Sequence, residues 1–176
     1  MEDSIDETIA AFEFLKAQGK IRYYGISSIR PNVIRKYVKR SDITSVMMQY
    51  SLADRRPEEE ILGLLAENNI GVLARGSLAQ GMLVDKPAKE YLGHSASAID
   101  KARLIIQLLV NDNRTAAQAA LRFVIANPSI TSAIVGVSRR EQLNEIAGTM
   151  ESDELTVDEF NILRLSMPAK VYDQHR

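Results

Sequence analysis

The sequence predicts an α/β fold in which short parallel strands alternate with helices. Three observations lead to this prediction: apolar runs of strand length, intervening segments with apolar residues at helical spacing, and glycine, asparagine or proline at several boundaries. Strands separated by helices pair in parallel through right-handed crossovers. The four strand–helix units predicted here fit either half of an eight-stranded barrel or a small open α/β sheet.

The individual elements follow from local signals. Capping-box patterns open helices at Ser4 and Thr115, Pro31 suits a first helical turn, and Gly19 suits a left-handed helix stop. In chain order we predict a helix from Ser4 to Gly19, a strand from Ile21 to Ile26, a helix from Pro31 through Val38, a strand from Ile43 to Tyr50, a helix from Pro57 to Asn69, a strand from Gly71 to Ala74, helices at 97–110 and 115–127, a strand from Ser132 to Val137, and helices from Glu141 to Met150 and from Thr156 to Met167. The irregular stretch 75–95 is predicted to be a functional or mobile loop.

The composition indicates a globular domain with no strong overall charge. The 176 residues are 45% apolar and carry a formal net charge of −1, so neither nucleic acid nor an anionic membrane is an expected partner. Without cysteine there are no thiolate nucleophiles, and the two histidines lack metal-ligand spacing, so no metal site is predicted. No apolar run reaches about 20 residues and the first residues are acidic, so the expected location is cytoplasmic.

Polar side chains follow each predicted strand at the point where the strand ends. The carboxyl ends of parallel barrel strands meet at one rim, where ligand sites are built. The sequence therefore predicts a ligand site at this rim without identifying the ligand. The residues concerned are Ser27, Ser28, Gln49, Arg75, Ser138 and Arg139.

Four stretches that contain these strand ends resemble aldo-keto reductases. They are GKIRYYGISS, VMMQYSLADRRPEEEIL, NNIGVLARGSLAQGML and AALRFVIANPSITSAIVGVSRREQLNEI, in family order and with family spacing. The resemblance implies the C-terminal half of a TIM-type (β/α)8 barrel. It further implies that residues 1–176 form a single partial barrel domain, which corresponds to strands five to eight plus the C-terminal helices. The implied function is reduction of aldehydes or ketones with NADPH.

The same resemblance leaves the catalytic step unassigned. The family carries its catalytic aspartate, tyrosine, lysine and histidine on the first four βα units, and none of them has a matching position in this sequence. Three hypotheses remain open: a carbonyl reductase represented by its cofactor-binding half, a nucleotide-binding module without turnover, and a half barrel that pairs with a second copy through its unpaired strand edges.

By resemblance, NADPH or NADP+ is the expected cofactor, and its nicotinamide end is assigned first. Ser27, Ser28 and Gln49 would hydrogen-bond the carboxamide, since hydroxyls and a primary amide offer both donors and acceptors. Arg75 would stack its planar guanidinium on the nicotinamide ring. The alternatives are that the two serines cap the following helix and that Arg75 is a solvated surface residue.

The phosphates and the adenosine are assigned to the loops after the third and fourth strands. A strand–loop–helix start is a natural anion site, and arginine suits phosphate geometry. Ser138 and Arg139 would hold the 2′-phosphate that distinguishes NADPH from NADH, although an exposed charge at Arg139 is the alternative. The full set of residues assigned to these parts is Gly76, Ser77, Leu78 and Gln80 for the pyrophosphate, and Gly136, Val137, Ser138, Arg139, Gln142 and Glu145 for the adenosine side.

Overall fold

The structure, a computed structural model that describes residues 3–176, is built on one four-stranded parallel sheet. The strands are β1 (Gly25–Ser27), β2 (Ser45–Gln49), β3 (Gly71–Arg75) and β4 (Ser132–Ile134). The α-helices are α1 (Asp3–Ala17), α2 (Pro31–Arg40), α3 (Ile61–Glu67), α4 (Ala96–Leu108), α5 (Ala116–Ile125), α6 (Arg140–Ala147) and α7 (Val157–Ser166). Within this part of the chain, no helix is both long and apolar enough to span a lipid bilayer.

The sheet has strand order β1-β2-β3-β4, and its two faces differ in burial. On the face that packs against the helices, the central strands bury Val46, Met48, Val72 and Ala74 completely. On the opposite face their neighbours Met47 and Leu73 are only partly buried. Gln49 pairs in register with Arg75, and Arg75 pairs with Ile134, so the carboxyl ends of the strands lie side by side.

The predicted order of helices and strands is confirmed, but several boundaries are wrong. β1 begins at Gly25 rather than Ile21, because β2, the one strand that pairs with it within residues 3–176, begins at Ser45, directly opposite Gly25. β4 ends at Ile134 rather than Val137, because β3 ends at the paired Arg75.

Two predicted helix starts also differ from the structure. Ser4 lies inside α1, where its carbonyl accepts a hydrogen bond from the Thr8 hydroxyl, so the expected capping box at Ser4 is wrong. Pro57 begins no α-helix and instead lies in a 3-10 helix, Arg56–Glu59, that precedes α3. The capping box at Thr115 is confirmed, with the Gln118 side chain accepting from the Thr115 backbone N–H at 2.9 Å.

Buried arginines attach the last helix to the rest of the fold. Arg114 donates to the backbone oxygens of Leu109 at 2.9 Å and Glu154 at 2.7 Å, and pairs with the Glu159 carboxylate on α7. Arg55 donates to the carbonyl of Arg164 at 2.9 Å near the end of the same helix. Because a buried guanidinium must have its donors satisfied, these contacts fix where α7 lies.

Candidate functional site

The carboxyl edge of the sheet carries two neighbouring recesses. Most of the predicted site residues line a recess of about 470 Å³ between the loop after β3 and the start of α6. This recess is called the main cleft here because of the number of predicted residues in it, not because of its volume. A second recess of about 530 Å³, the side recess, lies at the end of β1. Predicted residues of the main cleft are Gly76, Ser77, Leu78, Gln80, Gly136, Val137, Arg139, Gln142 and Glu145; those of the side recess are Ser27, Ser28 and Arg75.

Two predicted residues line neither recess but contact residues that do. The Gln49 side-chain oxygen accepts a hydrogen bond from Arg75 Nη1 at 3.3 Å. The Ser138 backbone N–H and hydroxyl both lie near Gln142 Oε1, at 3.1 and 3.2 Å. Arg75 lines the side recess and the next residue, Gly76, lines the main cleft, so the backbone at these two residues forms the boundary between the two recesses.

The loop after β3 has an unusual left-handed conformation. Gly76 has φ +69°, and Ala79 and Gln80 also have positive φ values of 46° and 61°. Non-glycine residues avoid this region, and such strain collects at functional sites. Ser77 is buried, with 2% of its surface exposed, and its hydroxyl has no hydrogen-bond partner within residues 3–176. The loop therefore places an unpaired polar group in the wall of the main cleft.

The loop after β4 brings positive charge to the same cleft. Arg139 is the N-cap residue of α6, with an extended backbone and no side-chain cap of its own. It is exposed and forms no ion pair within the described part of the chain. A helix N-terminus carries a partial positive charge, so this wall of the cleft is suited to an anion.

The alternative prediction, in which the two serines at the end of β1 cap the following helix α2, is wrong. The N-cap residue of α2 is Arg30, and no side chain in the described part of the chain caps this helix. The Ser28 hydroxyl instead accepts from the Arg30 backbone N–H at 3.1 Å in a local turn. Ser27 is exposed, so its hydroxyl is accessible from the side recess.

Sequence reasoning missed two side chains near these residues. Lys86 lines the main cleft, and the Tyr91 hydroxyl accepts a hydrogen bond from Gln49 Nε2 at 2.6 Å. Lys86 was detectable as a basic residue five positions after Gly81 in a loop already predicted to be functional. Tyr91 is the single tyrosine of that loop, but nothing in the pattern links it to Gln49, which is 42 positions away.

Two titratable groups in the loop over the strand ends have pKa values shifted in favour of their uncharged forms. Burial and the nearby negative charge of Asp54 raise the pKa of the Tyr91 phenol above its usual value. Burial and the charge of Lys170 lower the pKa of the His94 imidazole. Within residues 3–176, no group of three or more histidine, aspartate or glutamate side chains is arranged to hold a metal ion.

Comparison with known proteins places this geometry in a family. A family model described as "Aldo/keto reductase family" matches residues 1–166. The uncharacterized oxidoreductase YqkF of Bacillus subtilis (strain 168) is 44% identical over 185 residues, which cover 100% of this chain and 60% of that protein. The NADH-specific methylglyoxal reductase of Escherichia coli (strain K12) is 28% identical over 80% of this chain and 47% of that protein.

A solved structure resembles the fold closely. The aldo-keto reductase AKR11C1 from Bacillus halodurans, in its holo form, superimposes with a TM-score of 0.87 at 40% identity, over 98% of this chain and 59% of that chain. The chain thus spans 47–60% of the length of these relatives, and its four parallel strands with their helices form half of a TIM-type barrel. Because the family model matches nearly the whole sequence and a solved member shares its fold, the chain belongs to the aldo/keto reductase family.

Proposed function

We propose that this chain is the cofactor-binding half of an NADP(H)-dependent reductase that acts on aldehydes or ketones in the cytoplasm. One observation carries the proposal: nine residues assigned to the cofactor from the sequence line a single cleft at the carboxyl edge of the sheet. Family membership makes oxidoreductase chemistry the starting point. A bound nicotinamide cofactor would supply the hydride, and the protein would supply binding, orientation and electrostatics.

The main cleft suits the phosphates of a dinucleotide. The Ser77 hydroxyl and the backbone N–H groups of Ser77 and Leu78 have no hydrogen-bond acceptor within residues 3–176. Backbone N–H groups in left-handed turns form concave sites for anions. Lys86, from the loop after β3, and Arg139, at the start of α6, add positive charge to the same cleft, whose lining also includes Asp85 and Glu145. These donors are proposed to hold the pyrophosphate and the 2′-phosphate.

The side recess suits the nicotinamide end. Ser27 and Arg75 line it, and Gln49 is hydrogen-bonded to Arg75 at its edge. An amide, hydroxyls and a planar cation together can bind a carboxamide and lie against a ring. Arg75 lines this recess and the next residue, Gly76, lines the main cleft, so the two recesses are adjacent, and one extended dinucleotide is proposed to occupy both.

The choice between NADPH and NADH is proposed to depend on Arg139. The Escherichia coli relative is described as NADH-specific, so family membership alone does not decide the cofactor. Arg139 lies at the start of α6 and lines the main cleft with Gln142 and Glu145, and it makes no ion pair within residues 3–176. Arginine binds phosphate through charge-assisted hydrogen bonds, which favours the cofactor with the additional phosphate.

The 176-residue polypeptide is proposed to bind the cofactor without turnover, because no residue matches the family's catalytic positions. The test is to titrate the purified chain with NADPH, follow nicotinamide fluorescence, and compete with adenosine 2′,5′-bisphosphate. We expect saturable, displaceable binding and no oxidation of NADPH when an aldehyde is added. Absence of saturable binding would reject the proposal, whereas aldehyde-dependent oxidation would show that the acid–base residues lie within this chain.

A further inference from the structure

The side-chain amide of Gln49 is held at both ends by other side chains. Its oxygen faces Arg75 Nη1 at 3.3 Å and its nitrogen faces the Tyr91 hydroxyl at 2.6 Å. A guanidinium can only donate hydrogen bonds, so the atom that faces Arg75 must be the amide oxygen. The nitrogen therefore faces Tyr91, and the phenol oxygen accepts. The contact with Arg75 selects one of the two flipped orientations of the amide, and the contact with Tyr91 holds the amide at its other end, because a phenol oxygen can accept from the nitrogen.

The selected orientation leaves half of the amide available for a ligand. One N–H and one lone pair of the oxygen remain after the contacts with Tyr91 and Arg75. A second primary amide presents the complementary donor and acceptor. If Tyr91 were absent, water could satisfy the Gln49 nitrogen from many directions, and the amide would be held at one end only, by the 3.3 Å contact with Arg75.

Tyr91 is itself fixed by the backbone around it. Its N–H donates to the His94 carbonyl at 3.0 Å, and the His94 N–H donates back at 2.9 Å. The two residues between them, Leu92 and Gly93, have φ values of 50° and 73°, as in a tight hairpin turn. Lys170, beyond α7, donates to the Gly93 carbonyl at 2.6 Å. The C-terminal segment thus holds this turn in place over the end of β2.

We propose that Tyr91 is a positioning residue, which holds the Gln49 amide in the one orientation that receives the carboxamide of a nicotinamide cofactor. The inference rests on the proposed function for the identity of the ligand. Its structural part, the fixed Gln49 amide, depends on this chain alone. Tyr91 acts through Gln49 and does not need to touch the cofactor.

The fixed amide is tested first without any ligand. In ¹⁵N–¹H spectra, Gln49→Leu identifies the two side-chain amide proton signals of Gln49. We expect Tyr91→Phe, which removes only the acceptor oxygen, to shift one of these signals upfield and to speed its exchange with water. The matched control is Tyr172→Phe, which removes the hydroxyl of another tyrosine, buried and with its ring against Arg56, and should leave both signals unchanged. Unchanged Gln49 signals in Tyr91→Phe would overturn the inference.

The consequence for binding is tested with two ligands. Adenosine 2′,5′-bisphosphate contains the adenosine and its 2′-phosphate but no nicotinamide. We expect Tyr91→Phe to weaken NADP+ binding about fivefold, the loss typical of one hydrogen bond, and to leave the affinity for the bisphosphate unchanged. Tyr172→Phe should change neither affinity.

The possible failures are distinguishable. A wild-type chain that binds neither ligand would reject the proposed function and, with it, the role of Tyr91. If the wild type binds both ligands and Tyr91→Phe weakens both equally or neither, the proposed function stands and the positioning role is rejected. Loss of NADP+ affinity alone, with the altered Gln49 signals, would support the role.

Discussion

Arg139→Ala tests the assignment of the 2′-phosphate most directly. Arg139 lines the main cleft, is exposed, and makes no ion pair within residues 3–176, so its removal leaves no buried charge unpaired. Its backbone oxygen still accepts from the Leu143 N–H at 3.1 Å, and α6 should therefore keep its first turn. Any loss of affinity can then be assigned to the missing guanidinium.

The expected loss follows from the type of contact. A hydrogen bond to a charged group contributes about 1.5–3 kcal/mol, and solvent exposure places Arg139 at the lower limit. A loss of about 1.4 kcal/mol corresponds to a factor of roughly ten in the dissociation constant. We expect Arg139→Ala to weaken NADP+ binding about tenfold, less at high salt, and to leave NAD+ binding nearly unchanged.

Isothermal titration of both dinucleotides against wild type and variant measures this difference. Arg140→Ala is the matched control, since it removes the same charge one residue later, at a side chain that does not line the cleft. Equal losses for NADP+ and NAD+ would refute a specific contact with the 2′-phosphate. An equal effect of Arg140→Ala would refute it as well, because only the general field of the basic pair would then matter.

Two further predictions concern stability. The hydrogen bond from Arg114 lowers the pKa of Glu159 below the ordinary value of 4.5, so the pair stabilises the fold fully above that pH and its contribution is lost as the pH falls through the lowered pKa. Glu159→Gln should therefore cost about 1.5–3 kcal/mol in urea unfolding at pH 7, and the cost should decrease as the pH is lowered below 4.5. A loss that does not depend on pH would contradict the pairing. Gly25→Ala should destabilise the protein by about 1–3 kcal/mol, because the new Cβ would lie 2.5 Å from the Ser45 backbone oxygen. Gly63→Ala is the control, since open space surrounds Gly63, and this variant should be neutral or stabilising in thermal melts. Similar melting temperatures for the two variants would contradict the clash at Gly25.

Local chemistry in the sequence was enough to predict most elements of the fold. The apolar run of β2 and the capping box before α5 carry their own signals, and both were found in the structure. The two edge strands, β1 and β4, were predicted too long because the length of a strand depends on the residues of the neighbouring strand that pair with it. The sequence of the edge strand alone does not show where that neighbour begins and ends. The capping box at Ser4 failed for a related reason, since the same four-residue pattern also occurs inside a helix.

The candidate site divides in the same way. Polar residues at strand ends were predictable because parallel strands bring their carboxyl ends to one edge. The sequence could not separate the main cleft from the side recess, and it gave no reason to connect Tyr91 with Gln49. Lys86 was visible as a basic residue of the loop, but its place in the cleft wall depends on how the loop turns back at Gly81, where φ is +91°.

What the sequence determined by itself is therefore the alternation of strands and helices, the family, and the edge at which the polar residues gather. Each of these depends on residues that are neighbours in the chain or on a repeating spacing. What the tertiary structure decided is which of those residues share a cleft, that the buried Ser77 hydroxyl has no partner within residues 3–176, and that the Tyr91 phenol holds the Gln49 amide. These are contacts between residues far apart in sequence, and their distances are set by packing, which no local pattern encodes.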